Sequence, residues 1–82
     1  MEIKASERLL SLNKRLVVSR DVNNRVCVYY ENCYVSDGIA LIGTFGRGAT
    51  FEDACENYLS SISGKTIVFD RDGGKRETVI VL

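Results

Sequence analysis

From Thr50 onward the apolar residues recur on a helical period: Phe51, Ala54, Cys55, Tyr58, Leu59 and Ile62 fall at i, i+3, i+4, i+7, i+8 and i+11. That spacing draws one apolar stripe along an α-helix, and the stripe needs a surface on which to bury itself. Thr50 is placed as the N-cap, with Asp53 three residues on as an aspartate variant of the capping box. Glu52, Asp53 and Glu56 complement the positive end of the helix dipole, and Gly64 is placed to end the helix. On both sides of this helix the apolar residues follow the shorter period of strands. The fold class this predicts is α+β, with the helix packed across an antiparallel sheet.

Upstream, EIKASERLLSLNKRL sets Leu9, Leu12 and Leu16 at helical spacing, which predicts a first helix from about Glu2 to Asn13. LVVSR and RVCVYY, joined through DVNN, read as a hairpin. The second strand continues through ENCYV, with a bulge or bend at Glu31 and Asn32. Asp37-Gly38 then turns the chain into a third strand, IALIGTF, completing a three-stranded meander. After the long helix, KTIVFDR and KRETVIVL form a closing hairpin, so the expected order is α-β-β-β-α-β-β in a single domain of residues 1–82. Both closing strands are nearly continuous in apolar residues, which predicts cover on both faces. Two helices on opposite faces or a second subunit could supply it, and a homodimer is expected on this ground.

The 82 residues leave no room for the several βαβ units of a P-loop enzyme. This matters because GTFGRGAT, residues 43–50, places Gly43, Gly48 and Thr50 on the pattern G-x-x-x-x-G-K-[ST], with Ala49 where the lysine belongs. Without the lysine, and with an acidic helix start behind it, the stretch reads as a strand-to-helix turn. Gly46 and Gly48 would permit the turn, and Arg47 would project from it as a contact residue.

Acidic and basic residues balance at 11 each, which argues against a nucleic-acid module. The balance is uneven along the chain: residues 1–25 carry six basic and three acidic side chains, residues 26–64 one and five. A nucleic-acid-binding or antitoxin-like regulator using Lys4, Arg8, Lys14, Arg15, Arg20 and Arg25 is therefore the alternative reading. There is no histidine, and Cys27, Cys33 and Cys55 form no CxxC pair, so neither a zinc site nor a neutral-pH general base is expected. Cys27 and Cys55 read as core residues and Cys33 as the more exposed thiol. No run approaches the roughly 18 apolar residues of a membrane span, and no signal-peptide pattern is seen. A cytoplasmic protein with no cofactor, no metal and no enzymatic activity is expected.

Tyr29, Tyr30 and Tyr34 form an aromatic cluster beside Arg25. Together with the polar turns it gives the predicted partner-binding set: Arg47, Tyr30, Tyr34, Asp37, Arg71, Asp72, Lys75 and Arg76.

Three resemblances bear on function. The order helix, three strands, helix resembles a double-stranded RNA-binding domain, and GRGATFEDA is similar to that family's glycine-rich entry into its second helix. Where the family presents lysines to phosphate this chain has Phe51, Glu52 and Asp53, so RNA binding is not implied. GRGATFEDACENYL, residues 46–59, more closely resembles the HicB-type antitoxin domain, with its glycine turn, threonine cap and acidic helix start. GRGATFEDACENYLSSISGKTIVF also looks like small accessory proteins of temperate phages of Gram-positive bacteria. This likeness implies a protein that binds a host or phage protein in the host cytoplasm, and inhibitors of host defence such as anti-CRISPR proteins are among such binders.

Overall fold

The computed structural model describes residues 3–70 and 75–81. The long helix forms where its period predicts, as α2, Phe51–Ile62. Thr50 caps it by accepting the Asp53 N–H at 3.1 Å, and Gly64, at φ 75°, lies just past its end. The first helix, α1, is shorter than its leucine spacing suggests and runs Ala5–Leu10. Leu16 instead opens the first strand, β1, Leu16–Arg20.

The remaining strands are β2 (Val26–Tyr30), β3 (Cys33–Ser36), β4 (Leu41–Ile42), β5 (Gly46–Gly48), β6 (Thr66–Asp70) and β7 (Arg76–Ile80). The architecture is α+β with antiparallel sheets, in the order α-β-β-β-β-β-α-β-β. The expected meander is present, but it breaks at its middle. Asn32 takes a left-handed conformation at φ 53°, which its side chain tolerates better than most. The long second strand is thereby split into β2 and β3, and the third strand into β4 and β5. One sheet has the order β1-β2-β5 and the other β4-β3-β6-β7.

Both helices lie on the same side. Val26, Val28 and Tyr30 of β2, Val35 of β3, and Ile67 and Phe69 of β6 meet Ala54, Cys55, Tyr58 and Ile62 of α2 and Leu9 of α1 in one core. Tyr30 is held edge-on between Tyr58 and Phe69, with ring centroids 5.6 and 5.4 Å apart. β5 begins opposite Val28, so the Tyr30 N–H on that side of β2 has no ladder partner and donates to Tyr58 Oη at 3.1 Å. Glu52 fastens α1 to α2 by accepting the Ser6 N–H at 3.0 Å and the Ser6 hydroxyl at 2.6 Å.

Gly46 and Gly48 correct the reading of GTFGRGAT as a turn. They are strand residues facing α2, and neither has positive φ. A Cβ on Gly46 would lie 2.5 Å from Tyr58 Cβ and closer still to the Ala54 carbonyl oxygen and the Tyr58 nitrogen. A Cβ on Gly48 would lie 2.7 Å from both the Ala54 nitrogen and Asp53 Cβ. Glycine is required here by the close approach of helix to strand.

Candidate functional site

The molecule is only 22 Å across its shortest axis, the thickness of one helix layer on one sheet layer. The sheet face turned away from the helices is therefore uncovered among the described residues. Of the two sources of cover offered for the closing hairpin, helices on opposite faces are not what forms: Ile67 and Phe69 face the helices, while Val68 lies on the other face between Tyr34 and Thr78, whose side chains leave it 7 % exposed.

The bend decides which side chains share this outer face. In an unbroken strand, Tyr29 and Tyr34 would point to opposite sides. The bend at Asn32 shifts the alternation by one residue, so Val28 and Tyr30 face the core before it and Cys33 and Val35 after it. Tyr29 and Tyr34 are thereby brought to the same outer surface, 37 % and 36 % exposed. They border a groove of about 480 Å³ with Phe45, Cys27, Ser19 and Asn32. Arg47 is the register partner of Cys27 and stands beside the groove, its guanidinium 3.3 Å from Asp21. Aromatic faces with a few polar groups and an arginine at the margin are the composition that anchors protein partners.

The predicted binding residues separate into distinct groups. Tyr34 lines the groove, and Arg47 stands at its margin. Tyr30 forms part of the groove wall, but as a contact residue it is a correction: it is 1 % exposed, and its hydroxyl donates to the Leu9 carbonyl in the core. Asp37 is exposed, but Oδ1 accepts the Ile39 and Ala40 amides at 2.9 and 2.7 Å, and these bonds hold its carboxyl below its ordinary pKa. Its work is to close its own hairpin. Lys75 and Arg76 are exposed at the start of β7, away from the groove. Arg71 and Asp72 lie outside the described residues. Tyr29, Phe45 and Cys27 were not in the predicted set, and only Tyr29 had a signal, as a member of the aromatic cluster.

The cysteines divide differently from their sequence reading. Cys55 is buried, as expected, and Cys27 and Cys33 are both half-buried. Cys33 faces the core side and bonds Tyr58, and desolvation pushes its thiol up to about 11. Desolvation likewise raises Cys55 to about 11, with the Glu52 charge adding to it. Among the described residues, no group of three or more His, Cys, Asp or Glu could hold a metal ion. No described helix is long and apolar enough to cross a membrane.

Three of the basic residues of the first third are engaged with groups of the chain itself. Lys14 pairs with Glu77 and lies over the Phe69 ring, 5.1 Å from its centroid. Arg15 stands 3.8 Å from Glu31, and Arg20 donates to the Asn24 carbonyl at 3.1 Å. Compared with protein-family models, with curated proteins and with solved structures, the chain matches none.

Proposed function

We propose that this is a non-enzymatic accessory protein of phage type with a HicB-like core, which acts in the host cytoplasm by binding a host protein and so inhibits a host defence system, as anti-CRISPR proteins do. The observation that carries the binding part is the outer groove, where Tyr29, Tyr34 and Phe45 converge on a sheet face that no described element covers. Aromatic side chains held on strands lose little conformational freedom on binding, so they suit an anchor. The defence target comes from the likeness of residues 46–69 to phage accessory proteins.

The test compares the wild-type chain with a Tyr29→Ser/Tyr34→Ser double variant. Both side chains lie outside the helix-side core, so the variant is expected to stay folded, with a Tm lowered only by the lost cross-strand packing against Val17 and Val68, which circular dichroism checks. Purified wild-type chain is expected to suppress target cleavage by a CRISPR nuclease of a Gram-positive host and to form a complex with it, and the double variant to do neither. Complex formation by both chains alike would refute the groove as the site. The absence of binding and inhibition across host defence nucleases would refute the function.

A further inference from the structure

Four strands form the edges of the two sheets: β1 and β5 in one, β4 and β7 in the other. β4 is only two residues long. On β5 the outward carbonyl of Arg47 accepts the Asn57 side-chain amide at 2.7 Å, which blunts that edge. β1 and β7, five residues each, keep open edges among the described residues. On β1 the Arg15 carbonyl accepts the Glu31 N–H, and the Asp21 N–H donates to the Arg25 carbonyl, both at 3.0 Å. The odd-numbered residues therefore spend their backbone groups on β2. Alternation turns the N–H and C=O groups of Leu16, Val18 and Arg20 to the open edge.

We propose that this edge pairs antiparallel with the same edge of a second copy of the chain, about a twofold axis through Val18. Placing Val18 opposite its own copy is the symmetric register that pairs all three outward residues, with Leu16 opposite Arg20 in both directions. On the outer face the same register sets Val17 opposite Ser19 and Arg15 opposite Asp21. Two cross-strand ion pairs result from a single register, the charge complementarity that picks a second copy as the occupant. Arg15 is 77 % exposed and its Glu31 contact is long, so it can reach Asp21 of the second copy. That carboxylate already accepts the Asn23 and Arg25 amides and meets Arg47 at 3.3 Å, and Arg15 would join Arg47 there as a second cation. On the helix side, Val18, 52 % exposed, and Phe51, 38 % exposed, border a groove of about 530 Å³ along the seam. Pairing β7 with itself about Thr78 would set Arg76 opposite Ile80, much as Arg20 meets Leu16 on β1, but Lys75 would meet Val81, so that register forms no ion pair. Because Ser19 lines the outer groove, the β1 seam would place two grooves on the same face of one continuous sheet.

Sedimentation equilibrium up to high micromolar concentration tests the seam, together with hydrogen exchange at low and high concentration. Wild-type chain is expected to dimerise, with the Leu16, Val18 and Arg20 amides gaining protection as it does. Val18→Lys puts two lysines face to face, and Arg15→Glu sets like charges opposite one another. Both sites are exposed, so each variant is expected to keep the wild-type Tm in dilute solution yet remain monomeric. Thr78→Lys on β7 is expected to dimerise like wild type. The proposal is overturned if wild type stays monomeric throughout, if dimers persist in both β1 variants, or if Thr78→Lys alone abolishes them.

Discussion

Replacing Gly46 by alanine adds one methyl group where strand and helix backbones already touch. The new Cβ would stand 2.5 Å from Tyr58 Cβ, against the 3.4 Å at which ordinary contact begins, and nearer still to two backbone atoms of α2. No side-chain rotation relieves a clash with backbone, so the helix has to lift by about 1 Å. A gap of that size forfeits a quarter to a half of each contact's dispersion energy, and it opens beneath Ala54, Cys55, Tyr58 and Ile62, all at most 1 % exposed. Overpacking of this kind costs about 1–3 kcal/mol, and with backbone as the obstacle we expect about 3 kcal/mol. For a domain of this size that lowers Tm by about 12–24 °C, at about 4–8 °C per kcal/mol. Urea unfolding followed by circular dichroism measures the loss. Gly43→Ala is the control: a Cβ there meets nothing within 4 Å, and the substitution should change stability by no more than about 1 kcal/mol. A Gly46→Ala chain within about 0.5 kcal/mol of wild type would refute the close-approach argument.

Tyr58→Phe strips the acceptor from the buried Tyr30 N–H while keeping the ring, and chemical denaturation should register a loss of about 1–3 kcal/mol. Glu52 has its carboxyl held below the ordinary value, first by the Ser6 hydroxyl and then by the Ser6 amide. With the folded-state pKa depressed, its contribution to docking α1 is present above the unfolded value near 4.5 and is lost as pH falls through the folded one. Amide exchange in α1 should accelerate in acid for wild type, and Glu52→Gln should remove that component of the pH dependence. Cys33 and Cys55, both pushed up to about 11 by burial, should react slowly with a thiol reagent at pH 8 in the folded chain and rapidly in denaturant. Equal rates in the two states would contradict their placement.

The sequence by itself determined the elements that depend on local chemistry. Thr50, the acidic first turn and the stripe from Phe51 to Ile62 specify α2, because a cap and a period are written within a few residues of each other. The turns at Asp21 and Asp37 are specified the same way: each carboxylate accepts backbone amides two to four residues on. The interruption at Glu31 and Asn32 was also legible, but not its consequence. Only the tertiary structure decided that the bend divides the sheet in two and turns Tyr34 to the side of Tyr29 while leaving Tyr30 in the core. That outcome depends on which strands flank β2 and β3, and β6 comes from more than thirty residues away. The GRG of residues 46–48 makes the same point. A glycine needed for a left-handed turn and a glycine needed under a helix look alike in sequence, and what distinguishes them is the atom a Cβ would meet, here one belonging to α2.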